Sequence, residues 1–177
     1  AMVKNSLLEN GWQLTPVPWC KEGFYIEHKD QRRDIGHTPE HEKGLIFSQR
    51  SVSMIPAIAL GPQDHDIVLD MCAAPGAKTT HIAAMMHNKG IIVANESDRL
   101  RIEALASNLQ RCSVANTIVN HRSGERIEGV LFDKVLLDAP CSLEGRFNLN
   151  EPDSYKQWSI KEVKKNSDRQ KFLLRSA

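Results

Sequence analysis

Asp138-Ala139-Pro140-Cys141-Ser142 sets a carboxylate and a thiol around a proline, directly after the apolar run Val135-Leu136-Leu137. A thiol held this way suits covalent chemistry at a pyrimidine carbon. C5 of cytosine becomes nucleophilic only once a thiolate has added at C6; an electrophile is then taken up and the adduct eliminates. Free cysteine is also one of the most frequently buried side chains, and an acid after a strand also serves as a helix cap or surface group. Packing therefore stands beside chemistry as a reading of both residues.

Residues 67–79, IVLDMCAAPGAKT, form a second candidate site. Ala73-Ala74-Pro75-Gly76-Ala77 follows an apolar strand and opens a helix at Lys78, where small residues let a ligand approach the backbone. Gly76 is the single glycine of this loop, so the three-glycine dinucleotide pattern is missing and NAD or FAD is disfavoured. A tight strand-to-helix turn without a ligand is the alternative. Glu96 comes twenty residues after Gly76, at the expected tip of the next strand, where a carboxylate can accept both hydroxyls of an adenosine ribose. A contact to adenine is expected after strand 117–121, but His121-Arg122-Ser123-Gly124 offers no carboxylate; Ser123 is the candidate there. Lys78 is either the first solvated residue of its helix or a partner for Asp138 or a ligand carboxylate. The thiols of Cys72 and Cys112 read as packing groups.

These residues need a scaffold that brings strand ends to one rim. From residue 67 the pattern alternates buried strand and amphipathic helix, the signature of an α/β domain with a parallel sheet. Strands are expected at 67–71, 91–95, 117–121 and 134–138, and helices at about 78–88, 98–111 and 159–176, with Asp98 as an N-cap and Gly90 closing the first helix. Residues 45–60 carry apolar side chains at near-helical spacing up to Gly61-Pro62. Before them, Leu7, Leu8 and Trp12 suggest a short helix, residues 15–19 an extended stretch and Phe24-Tyr25-Ile26 a strand. We divide the chain into a small N-terminal subdomain, 1–45, and a Rossmann-like portion, 46–177.

Composition narrows the class further. The 177 residues include 23 basic and 22 acidic side chains, so bulk charge announces no nucleic-acid binder and any such contact must be local. The last helix offers Lys161, Lys164, Lys165, Arg169, Lys171 and Arg175, either an RNA-facing surface or a solvated face. No apolar run approaches the roughly 20 residues that span a bilayer, and a cytoplasmic protein is expected. Cys20, Cys72, Cys112 and Cys141 are widely spaced, with no metal-ligand pattern, so reduced thiols and no metal are expected.

Methyltransferases acting on exocyclic amines tend to carry Asp-Pro-Pro-Tyr or Asn-Pro-Pro-Tyr where this chain has Asp138-Ala139-Pro140-Cys141. Asp70-Met71-Cys72-Ala73-Ala74-Pro75-Gly76-Ala77-Lys78-Thr79 together with Asp138-Ala139-Pro140-Cys141-Ser142 resembles the NOL1/NOP2/Sun family of RNA cytosine-C5 methyltransferases. Residues 15–25 and 151–159 are similar to its bacterial branch that modifies small-subunit ribosomal RNA, and the resemblance covers nearly the whole chain. It implies S-adenosylmethionine as cofactor, held by Cys72, Ala73, Ala74, Pro75, Gly76, Ala77, Lys78, Glu96 and Asp138, with Asp138 also near the target base. It implies that Cys141 assists release of the methylated base, and that the attacking cysteine belongs to a Thr-Cys-Ser or Thr-Cys-Thr motif absent from residues 1–177. A transfer-RNA substrate, or a cofactor- or RNA-binding module without catalysis, are the alternatives. Ala77 stands for a second loop glycine, Ser123 for an acid, and Leu143-Glu144 for a small pair.

A methyltransferase sheet has about seven strands, whereas four are placed here, in expected order 3-2-1-4. The chain is therefore expected to be part of a longer protein. Its open edge at Val135-Leu136-Leu137 would promote self-association.

Overall fold

The computed structural model describes residues 2–127, 129, 131–156 and 158–177. Gln157, within the 151–159 segment compared above, lies outside the described residues. Helix α1, Met2–Glu9, ends before Gly11, whose φ of 84° turns the chain into strand β1, Trp12–Val17. Trp12 thus begins a strand instead of extending the helix, and packs with Leu7 and Ile35 in a small core. Strand β2, Cys20–His28, returns antiparallel to β1 and contains the expected Phe24–Ile26. A short helix α2, Pro39–Glu42, follows.

The helix expected over 45–60 shrinks to a turn at Ser51–Met54 and a helix α3, Ile55–Leu60. Pro56 explains this: without an N–H it fits only the first turn of a helix, so the helix begins beside it. Residues 46–50 form an irregular strap held by Arg111. Its Nη1 donates to the carbonyls of His41 (2.6 Å) and Ile46 (3.3 Å), and its guanidinium lies 5.4 Å from the Phe47 ring centre.

Strands β3, Ile67–Asp70, β4, Ile91–Asn95, β5, Thr117–Asn120, and β6, Lys134–Leu136, form a parallel sheet in the order β5-β4-β3-β6. This is the expected 3-2-1-4 arrangement. Asp70 pairs in register with Ala94 and Leu136, so the strands end level and share one carboxyl-end rim. Helices α4, Ala77–Met85, and α5, Arg99–Arg111, cover one face through Ile82, Met86, Leu105 and Leu109. Helix α6, Ile160–Ser176, covers the other by seating Leu173 against Leu69 and Met71. Asp98 caps α5 as expected, accepting from the N–H groups of Leu100 and Arg101. Gly90 (φ 64°) turns the chain into β4, four residues after α4 has already closed at Met86, and so does not itself cap that helix. Among the described residues no helix is long and apolar enough to cross a membrane. A cavity of about 650 Å³ lies beneath the N-terminal hairpin, lined by Leu7, Phe24, Phe47, Met54 and His81, and shares no residue with the rim.

Candidate active site at the strand rim

The loop after β3 is fixed from both sides. Met71 N–H donates to the Leu136 carbonyl (2.9 Å) and Ala73 N–H to that of Asn95 (2.8 Å). Gly76 sits at φ 104°, a conformation only glycine adopts freely, and its N–H closes the turn on the Ala73 carbonyl (2.8 Å). Ala77 opens α4 with an ordinary backbone, so its methyl group in place of a glycine costs nothing there.

Glu96 is 3% exposed although it is a carboxylate. Its Oε1 accepts from the backbone N–H groups of Ser97 (2.8 Å) and Asp98 (3.0 Å). Its Oε2 lies 3.0 Å from Arg101 Nη1, but off the hydrogen-bonding direction, and has no hydrogen-bond partner among the described residues. Arg101 Nη2 also donates to the Ala74 carbonyl at 2.6 Å, which ties the Glu96 side of the rim to the loop. Lys78 Nζ donates to Asp138 Oδ2 at 2.6 Å, joining the same loop to the segment after β6. Ser123 stands at the start of the turn Gly124–Arg126 after β5, without a side-chain bond to it, which places it on the rim too.

Two rim residues were missed as site residues in the sequence, where they read as ordinary strand ends. Asn95, 1% exposed, donates through Nδ2 to the carbonyls of Met71 and Arg122, both at 3.1 Å, and accepts from Asn120 Nδ2 (2.8 Å). Asp70 is fully buried under the loop, accepts from Thr79 Oγ1 (2.7 Å), and leaves Oδ1 without a partner among the described residues. Burial pushes its carboxyl up to about 6, with the Thr79 bond and Lys78 opposing and Asp138 reinforcing the shift. Burial also pushes the Cys72 thiol up to about 11, with Glu96 and Asp70 adding to the effect. Cys72 is thus an inert packing thiol beside the rim, whereas Cys141 is exposed, and all four cysteines are free.

The Asp70 shift sets a pH dependence. A carboxyl whose folded pKa exceeds its unfolded value, near 4, favours folding most while protonated. That contribution is complete below about pH 4 and lost as pH rises through about 6. The stability of Asp70→Asn relative to the parent chain is therefore expected to rise by on the order of 2 kcal/mol from pH 4 to pH 7. Urea unfolding at a series of pH values measures it, and a difference independent of pH would show that Asp70 ionises freely.

Helix α6 reaches three of the rim segments. Arg169 Nη2 donates to Ser97 Oγ (2.9 Å), Gln170 Nε2 to the Pro140 carbonyl (2.8 Å), and Ser176 Oγ to the Gly124 carbonyl (3.0 Å). One helix therefore holds the segments that carry Glu96, Cys141 and Ser123. Residue spacing signalled none of these pairings.

The family profile described as 16S rRNA methyltransferase RsmB/F matches residues 57–177, and the profile of the N-terminal domain of 16S rRNA methyltransferase RsmF matches residues 2–51. The chain belongs to the RsmB/F methyltransferase family. The RsmB/F assignment agrees with the bacterial branch expected from residues 15–25 and 151–159. The chain is 45% identical to ribosomal RNA small subunit methyltransferase F of Vibrio cholerae over 96% of its length, and 46% identical to that of Salmonella heidelberg over 94%. It spans 37% and 36% of those two proteins. Among solved structures, a methyltransferase homologue from Pyrococcus horikoshii is 37% identical with a TM-score of 0.84, over 99% of this chain and 54% of that one. NSun6 from the same organism, solved with SFG, is 29% identical with a TM-score of 0.74, over 88% and 41% respectively.

Proposed function

We propose that this chain is the cofactor-binding portion of an S-adenosylmethionine-dependent enzyme that methylates C5 of a cytosine in small-subunit ribosomal RNA, in the cytoplasm. The observation that carries this reading is the convergence of Glu96, the Ala73–Ala77 loop and the Lys78–Asp138 pair on one rim with an exposed Cys141. The donor set suits the cofactor: Glu96 Oε2 and Asp70 Oδ1 are buried acceptors without a hydrogen-bond partner among the described residues, as a ligand with hydroxyl and amino groups requires. Glu96 would hold the ribose, residues 72–78 the methionine part and Ser123 the adenine side. Bound there, S-adenosylmethionine supplies the methyl group.

The remaining work falls to this chain's own groups. Asp138, oriented by Lys78, would position the exocyclic amine of the target base. Cys141, on the loop held through Gln170, would assist removal of the proton at C5 and release of the product. The attacking thiolate is assigned by resemblance to a further cysteine outside residues 1–177. The outer edge of β6 also offers backbone groups to another strand, so self-association belongs to this reading.

The test is incubation of the full-length protein with undermethylated small-subunit ribosomal RNA and labelled cofactor. Label is expected on carbon 5 of a cytosine; label on nitrogen, or only on transfer RNA, would overturn the assignment.

A further inference from the structure

Residues 142–158 follow the Cys141 loop, and their described residues contain two single turns, Glu144–Arg146 and Pro152–Ser154. Three aromatic rings nevertheless gather in this segment. Phe147 and Tyr155 have ring centres 5.9 Å apart, and Trp158 meets Phe147 edge-on at 6.1 Å. Rings in a mini-core would be buried, yet these are 38%, 37% and 40% exposed.

Polar bonds hold the cluster in place. Trp158 Nε1 donates to Glu144 Oε1 (3.0 Å), which also accepts from Ser142 Oγ (2.8 Å). These bonds keep the Glu144 carboxyl below the usual range, so it stays charged at neutral pH. Ser154 Oγ accepts from Asn148 N–H (2.9 Å) and donates to the Asn148 carbonyl (3.1 Å), closing the loop between Phe147 and Tyr155. Ser142 follows Cys141 directly in the chain, so two hydrogen bonds through Glu144 join Trp158 to the residue next to Cys141. Leu143-Glu144, which stands in place of a small pair, makes this possible. Leu143 takes the left-handed backbone a small residue would favour (φ 63°), and Glu144 supplies the carboxylate.

We propose that Phe147, Tyr155 and Trp158 form a platform on which an unpaired base of the RNA substrate stacks beside the target cytosine. The proposal rests on the RNA-methylating reading above. Exposed rings next to basic groups are the usual receptor for single-stranded RNA, because every base presents a π-face while phosphates seek cations. Arg146 lies next to Phe147, and α6 begins two residues after Trp158 with Lys161 and Lys164 exposed. Residues 142–158 carry Glu144, Glu151 and Asp153 against Arg146 and Lys156, and the cationic excess comes from α6, where Lys161, Lys164, Lys165, Arg169, Lys171 and Arg175 stand against only Glu162 and Asp168. That excess beside the rings complements a nucleic-acid strand, whereas an apolar protein segment would find these cations at its border.

The test is the affinity of this chain for a labelled single-stranded oligoribonucleotide and for a hairpin duplex, across a salt series. Trp158→Ala is expected to weaken single-strand binding roughly tenfold, leaving duplex binding and the slope of log affinity against log salt unchanged. Trp158→Phe should restore most of the loss. Tyr155→Ala provides the same comparison should Trp158→Ala melt at a lower temperature than the parent chain. Single-strand affinity unchanged in both alanine variants, or a loss accompanied by a shallower salt slope, would overturn the platform in favour of a structural cluster or a phosphate contact. Failure of the unsubstituted chain to bind any RNA would overturn the platform alone, whereas label on nitrogen in the full-length assay above would overturn the functional reading and the platform with it.

Discussion

Full-length enzyme carrying Cys141→Ala is expected to accumulate an RNA–protein adduct that survives denaturing electrophoresis, with turnover reduced by about 10² to 10⁴. The expectation follows from where the thiol sits. Cys141 is exposed at the end of a segment fixed ahead of it, Asp138 by Lys78 and the Pro140 carbonyl by Gln170. Removing one exposed sulfur leaves no cavity, so the fold is unaffected and the lost step is chemical. If Cys141 assists release, methyl transfer proceeds and the covalent link to the base persists. Cys72→Ala supplies the contrast: that thiol is half-buried with its acidity pushed to about 11, and no adduct should form. Normal turnover in Cys141→Ala, or an adduct equally abundant in both variants, would remove Cys141 from the chemistry.

The two motifs were legible in the sequence because each is local. A strand, a small-residue turn and a helix start are contiguous in residues 67–79, and Asp138 to Ser142 sit within five positions. Strand order was legible too, since the runs Ile67–Asp70 and Ile91–Asn95 are apolar on both faces, as central parallel strands must be. The helix expected over 45–60 is shorter because Pro56 confines it to Ile55–Leu60, and because Arg111, far along the chain, claims the carbonyls of residues 41 and 46. The supporting rim residues were illegible for the same reason. Asn95 reaches Met71 and Arg122, Arg101 reaches Ala74, and Gln170 reaches Pro140, pairings set by the level ends of the sheet and by α6. The aromatic cluster was visible only as scattered letters, since its unity depends on Glu144 bonding Trp158.

Glu96→Gln is expected to weaken S-adenosylmethionine binding by roughly a hundredfold while leaving the fold intact. Glu96 Oε1 is committed to the N–H groups of Ser97 and Asp98, and an amide oxygen can keep both bonds. The amide nitrogen must then take the place of Oε2, where a buried acceptor without a hydrogen-bond partner among the described residues faces Arg101 at 3.0 Å. Two consequences follow from that exchange. The acceptor proposed for the ribose hydroxyls becomes a donor, and the guanidinium meets an N–H group where it had a negative charge. Hydrogen bonds to a charged partner are worth about 1.5–3 kcal/mol each, and about 1.4 kcal/mol is a factor of ten in affinity. Two such bonds, one to each ribose hydroxyl, account for the hundredfold at the lower end of that range, because the pair with Arg101 is present without cofactor and its loss falls on the free and bound protein alike. Calorimetric titration of the cofactor measures it, with the melting temperature of the unliganded variant as the control. Affinity within twofold of the parent chain, at an unchanged melting temperature, would reduce Glu96 to a cap for the turn that leads into α5 and move the ribose site elsewhere on the rim.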